Sequence, residues 1–176
     1  MQKIIITYVF VVTAAIFSQA HAQKFAYVDT KYILENIPEY KSAQEQLNKI
    51  SVDWQKEIEA KYAEIDKLYK AFQAEQILLS EEMKRKREEE IIRKEKEAKD
   101  LQKQRFGVDG DLFKKRQELV KPIQDKIYDA IKEIATNGGY AVIFDRGGEL
   151  SMLFADPKYD KSDDVLDKMG YKAGGK

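Results

Sequence analysis

The chain has no cysteine, and its one histidine, His21, lies near the start. No disulfide therefore holds the fold together. Beyond position 22 there is neither residue. Cysteine or histidine nucleophiles, Ser-His-Asp triads, zinc sites of the usual ligands and haem ligation are all excluded there. Charge of one sign is missing too: 31 Lys and Arg face 31 Asp and Glu. Such a chain has no net field to recruit nucleic acid or an anionic membrane. Proline and glycine are scarce, at 3 and 9 of 176 residues, so few places can break a helix.

Long apolar runs are absent except at the beginning. Residues 1–22, MQKIIITYVFVVTAAIFSQAHA, hold Lys3, an apolar run from Ile4 to Phe17, and Ala20-His21-Ala22. This pattern predicts a signal peptide with cleavage between Ala22 and Gln23. The other reading, an uncleaved anchor, needs a span of roughly 20 apolar residues, and no positive cluster follows the run. Export is expected, and losing Lys3 leaves 30 basic against 31 acidic residues.

What the sequence does have is helix. From about Tyr40, apolar side chains recur at steps of three and four: Leu47, Ile50, Trp54, Ile58, Tyr62, Ile65, Tyr69 and Phe72. That is one stripe on a charged rod. Pro38 suits the first turn of this helix, where its missing N–H costs nothing. The stripe is interrupted at QILLSEEM. Ser80 is a good N-cap, and Glu81 and Glu82 follow where a helix start favours negative charge, so a tight turn is placed here. The next stretch, residues 81–105, has 18 charged residues in 25. It cannot bury itself in a core. Glu81–Arg85, Glu82–Lys86, Glu89–Arg93, Glu90–Lys94 and Glu95–Lys99 are expected to lace it, each pair adding about 0.2–0.5 kcal/mol. On the first helix, Glu57–Lys61 and Asp66–Lys70 have the same spacing.

The apolar stripe thickens again at Val120, Ile123, Ile127, Ala130 and Ile134, and TNGG (136–139) is expected to end the helix, with Asn and Gly supplying positive φ. Residues 25–29 read as a short strand. YAVIFD (140–145) reads as a buried-type strand, RGG as a turn and LSMLFAD (150–156) as the strand that completes a hairpin. Ser162 is expected to cap a last short helix, with a frayed end after it. Pro38 and Pro122 are equidistant from Ser80, so each arm of a helical hairpin is about 40 residues, or roughly 60 Å. Trp54 then lies opposite Phe106 and Gly107. In RFGVDGD the glycines either make a notch for the indole or merely loosen the second helix.

The expected fold is α+β: a small β-sheet or barrel base formed on oligomerisation, with a long antiparallel helical hairpin inserted between its strands. The base comprises residues 23–38 and 122–176, and the arm residues 39–121. So small a sheet is marginal alone, and its edges call for symmetric self-association.

The strand KFAYVDTKYILENIPEYK, the helix and strand ELVKPIQDKIYDAIKEIATNGGYAVIFD, and the late DVLDKMGY together resemble the Skp/OmpH family of periplasmic chaperones. The resemblance covers nearly the whole chain after residue 22 and rests on pattern, with no catalytic motif. It implies a periplasmic homotrimer, with bases joined in a β-barrel and three arms around a cavity. There, unfolded outer-membrane β-barrel proteins are held without nucleotide, cofactor or metal. Burial need alone would also permit a dimer. Candidate contacts with such clients are Tyr62, Tyr69, Phe72, Ile77, Leu78 and Leu79. The first three also suit the seam between the arm helices, and the last three suit closure of the tip. One departure is clear: relatives are strongly basic and this chain is not. The basic run 84–87 is followed at once by Glu88–Glu90, so no lipopolysaccharide or anionic-lipid site is carried over.

No enzyme is expected. Asp109-Gly110-Asp111 and Asp163-Asp164 lack the spacing of a calcium loop. The glycine pairs 138–139 and 147–148 lack that of a phosphate cradle. The exposed carboxylates are matched by lysines, which argues against acid catalysis. The competing function is a structural coiled-coil spacer of the envelope. A continuous heptad over both arms would favour it, but the stripe is broken at Ser51, Lys61, Arg87 and Lys94.

Overall fold

A computed structural model of the protein describes residues 23–148 and 152–173. The expected signal sequence, residues 150 and 151 of the expected second hairpin strand, and residues 174–176 of the expected frayed end lie outside the described residues. In chain order the elements are β1 (Lys24–Val28), α1 (Thr30–Glu35), α2 (Pro38–Glu75), α3 (Glu81–Phe106), α4 (Asp111–Gly138) and β2 (Tyr140–Asp145). A 3-10 turn (Pro157–Tyr159) and α5 (Ser162–Lys168) follow. A mostly helical chain with a small sheet and long helical arms is therefore the architecture.

The first chain reversal was not anticipated. Asp29 ends β1 and accepts a hydrogen bond from the Tyr32 N–H at 2.9 Å, which starts the short helix α1. Pro38 occupies the first turn of α2 as expected. The reversal between α2 and α3 falls at residues 76–80. Ser80 caps α3, its hydroxyl accepting from the Met83 N–H at 3.4 Å, with Glu81 and Glu82 in the first turn.

Two clusters share the burial. The larger one forms the base, where Val28, Ile33, Ile37, Ala43, Leu47, Val120, Ile123, Ile127, Ala130, Val165 and Leu166 pack together. It ties β1 and α1 to the roots of α2 and α4 and to the C-terminal α5. The helix α4 runs through Pro122 without ending. An interior proline costs a helix about 3 kcal/mol, which the packing of Val120 and Ile123 on either side outweighs. The smaller cluster lies far out on the arm: Ile65, Ile91 and Ala98, with Leu68 and Phe72 against it. Ile91 and Ala98 are the buried residues of α3, as its composition required.

The sheet differs from the expectation. β2 pairs with β1 in parallel, Phe25 opposite Val142 and Val28 opposite Asp145. The entire arm is thus the crossover between two parallel strands. Among the described residues, 152–156 carry no strand, so that part of the expected hairpin of 140–156 does not pair with β2. The reason lies at the end of β2. The Arg146 N–H reaches the Val28 carbonyl at 2.7 Å, and the Asp145 carboxylate accepts from the Thr30 N–H, the Thr30 hydroxyl and the Gly147 N–H. These bonds draw the chain across the end of β1 instead of back along β2. Gly147 permits the crossing: a Cβ there would lie 2.7 Å from the Lys31 nitrogen and 2.8 Å from Asp29 Oδ1. The other edge of β1 is taken by residues 160 and 161, where the Lys161 N–H meets the Tyr27 carbonyl at 2.8 Å.

Two caps also differ. Ser162 is inside α5 and fully buried, with Lys161 at the cap position. Its hydroxyl accepts from the Asp29 N–H at 2.8 Å and donates to Asp160 Oδ1 at 2.6 Å. At the end of α4 only Gly139 takes a positive φ, at 65°, and Asn137 stays helical.

Candidate functional site

The arm carries the residues singled out from the sequence. Phe72 is half-buried against the Ile65–Ile91–Ala98 cluster and so belongs to the seam between α2 and α3. Tyr62 is 39% exposed, and its hydroxyl reaches Gln102 Oε1 on α3 at 3.5 Å. Tyr69 is half out of the seam. At the tip, Ile77 and Leu78 are 89% and 86% exposed while Leu79 is half-buried. The tip closes through backbone hydrogen bonds, Gln76 N–H to Phe72 O and Leu78 N–H to Glu75 O. The first two leucine-class side chains are left free of that task. Gln23 is the first described residue, exposed beside β1, and Ala22 lies outside the described residues.

Further apolar side chains stand out on the arm that the periodicity did not single out. Val52, Met83, Ile92, Val108 and Phe113 are all exposed. They fall at several levels between the base and the tip. Met83 shares a small recess of about 270 Å³ with Lys86, Arg87 and Glu90. Exposed apolar side chains of this sort, one of them a methionine, suit weak contact with many sequences.

Charge on the arm is neutralised locally. Lys84 meets Glu81 and Lys86 meets Glu82, each at 2.7 Å; Arg85 meets Glu89 and Arg87 meets Glu90, each at 3.6 Å. The basic run 84–87 is therefore a mixed-charge surface. The expected lacing holds for Glu82–Lys86 and Asp66–Lys70, while Arg93 turns to Glu97 and Lys94 crosses the seam to Glu64 at 3.0 Å. Arg85 and Arg93 each have a glutamate four residues away on either side, Glu81 and Glu89 for the first and Glu89 and Glu97 for the second, and the sequence spacing alone does not choose between them. The Lys94 hydrogen bond, then its charge, holds the Glu64 carboxyl below its ordinary range.

Midway along the arm, RFGVDGD is a break, so α3 ends at Phe106 and α4 begins at Asp111. Trp54 does lie against Phe106, with ring centroids 6.4 Å apart and edge-on. The notch reading fails on geometry. A Cβ at Gly107 would meet the Lys103 carbonyl oxygen of its own helix, not the indole.

The base offers a second surface. One face of the sheet shows Phe25 stacked on Phe144 at 6.4 Å, both more than two-fifths exposed. YAVIFD is thus not a buried strand within one chain. With Tyr27, Tyr140, Tyr159, Met152 and Phe154 these rings line a groove of about 800 Å³. Leu153 and Phe154 are 99% and 85% exposed. Among the described residues no group of three or more His, Asp or Glu is placed to hold a metal, and no helix is long and apolar enough to cross a membrane.

This arrangement has counterparts. The family model for outer membrane protein (OmpH-like) matches residues 24–169, from β1 through α5. The chain belongs to this OmpH-like family. It is 25% identical over 149 residues to the chaperone protein Skp of Yersinia enterocolitica, a match covering 85% of this chain and 87% of that one. A putative outer membrane chaperone (OmpH-like) from Caulobacter crescentus shares the fold, with a TM-score of 0.66, 14% sequence identity and 82% of each chain covered.

Proposed function

We propose that this OmpH-like protein is an ATP-independent periplasmic holdase. It binds unfolded outer-membrane β-barrel proteins between its arms and keeps them from aggregating on the way to the outer membrane. The observation that carries the reading is family membership over the whole arm and base, with relatives named as Skp and as an outer membrane chaperone. The arm supports it physically. It is held by a thin seam and its own ion pairs, and it leaves apolar side chains exposed along its length. Tyr62, Tyr69, Ile77 and Leu78 are the proposed client contacts, and Phe72 is kept for the seam. A holdase needs no energy source, because binding the unfolded chain lowers its free concentration.

Assembly follows the same logic. The aromatic sheet face and the open edge of β2 are proposed to join copies of the base into a trimer, with the arms standing around a common space. The chain from Gln23 is the proposed mature form, delivered to the periplasm after removal of residues 1–22. The test is the light scattering of an unfolded outer-membrane β-barrel protein diluted from urea, without nucleotide. Suppression near one trimer per client supports the holdase. Undiminished scattering at several-fold excess refutes it for that class and favours an envelope scaffold.

A further inference from the structure

The two arm helices are not equivalent. α2 is unbroken from Pro38 to Glu75, while the returning half of the arm is cut at residues 107–110 into α3 and α4. Gly107 and Gly110 make the cut tight. Their added Cβ atoms would approach the Lys103 and Gln104 carbonyl oxygens to 2.4 and 2.8 Å, so neither position tolerates a side chain in this conformation. The Gly110 N–H closes the turn on the Gly107 carbonyl at 2.9 Å, and Val108 at its crest is 91% exposed. The cut falls between the base core and the outer cluster, where α2 lacks a continuous helical partner.

Two side chains of α3 cross this gap to Asp111, Gln104 through a 3.4 Å hydrogen bond and Arg105 more closely. The Arg105 guanidinium lies 4.6 Å over the Trp54 ring. Its Nη1 reaches Asp111 across the break at 2.8 Å, and its Nη2 reaches Glu57 on α2 at 3.4 Å. A single planar cation thus touches all three helices, a task suited to arginine's fork and stacking face. Its Nε is buried and has no hydrogen-bond partner among the described residues. The joined arrangement therefore leaves one donor unsatisfied that water would satisfy once the joint opened.

We infer that residues 107–110 are a joint in the arm and that Arg105 is its latch. With the latch closed, the outer arm keeps the line of the base. With it released, the break takes up the length change while α2 bends. The bend would set the width between arms; that consequence alone rests on the holdase reading. The joint itself is a property of the chain without any client.

The chain has no cysteine, so labels can be placed at will. Spin labels at Glu88→Cys near the tip and Lys126→Cys in the base, in chains diluted with unlabelled protein, report their separation. Trp54 is the one tryptophan and reports the joint by acrylamide quenching. Arg105→Ala is expected to broaden the distance distribution about twofold and to raise quenching, with the helical circular dichroism unchanged. Arg105→Lys falls between, and Glu57→Gln gives a weaker form of the same change. Arg93→Ala, which removes the Arg93–Glu97 pair away from the break, leaves both readouts alone. Unchanged distances in folded Arg105→Ala overturn the latch. Equal broadening from Arg93→Ala overturns the joint as a special place. If Arg105→Ala loses helix, and Arg105→Lys and Glu57→Gln stay as narrow as the parent, the residue is a fold staple and the inference falls.

Discussion

Replacing Ser162 by alanine removes one oxygen atom from the base, and the structure allows its cost to be worked out. The hydroxyl is fully buried. It accepts from the Asp29 N–H at 2.8 Å and donates to Asp160 Oδ1 at 2.6 Å, joining the end of β1 to the start of α5. Alanine leaves the part-buried Asp29 N–H without its acceptor, which costs about 1–3 kcal/mol, and forfeits a bond to a carboxylate as well. A loss of about 2–3 kcal/mol is expected. For a chain of this size each kcal/mol moves the melting midpoint by roughly 2–4 °C, so the fall should be about 4–12 °C. The assay is thermal and urea unfolding by circular dichroism at one fixed chain concentration, because self-association adds to apparent stability. Ser80→Ala is the control. That hydroxyl caps α3 at the exposed tip through a 3.4 Å bond, and its loss should cost about 1 kcal/mol or less and act on the arm alone. A Ser162→Ala protein within about 0.5 kcal/mol of the parent refutes the reasoning, since that is the scale of an ordinary surface change.

Other substitutions probe other parts of the molecule. Gly147→Ala forces a methyl against the Lys31 nitrogen and Asp29 Oδ1, and should destabilise by about 1–3 kcal/mol in the same unfolding assay. Leu166→Ala opens a void in the fully buried base core and should cost about 2–5 kcal/mol, again read by urea melts. Ile77→Ser with Leu78→Ser should leave stability within about 0.5 kcal/mol but weaken retention of an unfolded client, measured by titration against a fluorescent client. Tyr171 gives a pH test. Its burial, and then its hydrogen bond to Glu39, hold the phenol above the usual tyrosine value of 10.0. A raised folded value means stability that is whole below the ordinary tyrosine range and is lost as pH rises through the folded one. Urea midpoints should therefore fall above about pH 10, and Tyr171→Phe should flatten that fall.

The arm was the legible part of the sequence. Its stripe from Leu47 to Phe72 repeats at helical spacing, and Pro38 and Ser80 mark where helices begin. Both signals are local, so no knowledge of the rest of the chain was needed. The sheet was less legible. YAVIFD reads as a strand, but whether it pairs forward with residues 150–156 or backward with β1 is decided by bonds from Asp145 and Arg146 to residues more than 100 positions away. Ser162 illustrates the same limit. Its place before Asp163 and Asp164 has the form of an N-cap, and tertiary contact with Asp29 overrides it. The exposed contact candidates were readable only as alternatives. Phe72 and Tyr69 sit three residues apart on one stripe, and the small rotation that puts Phe72 in the seam and Tyr69 half outside depends on where α3 lies. Arg105 carried no sequence signal beyond the glycines that follow it.

The central claim is that the arms hold an unfolded outer-membrane protein. Native mass spectrometry after diluting such a client from urea into the chain beginning at Gln23 tests it most directly. An arm-deleted chain, with residues 48–119 replaced by a short turn so that the base core is kept, is run beside it. The account predicts one client mass added to three copies of the intact chain, and no such species with the arm-deleted base. A client that stays unbound, or one retained equally by the base without its arms, would contradict it.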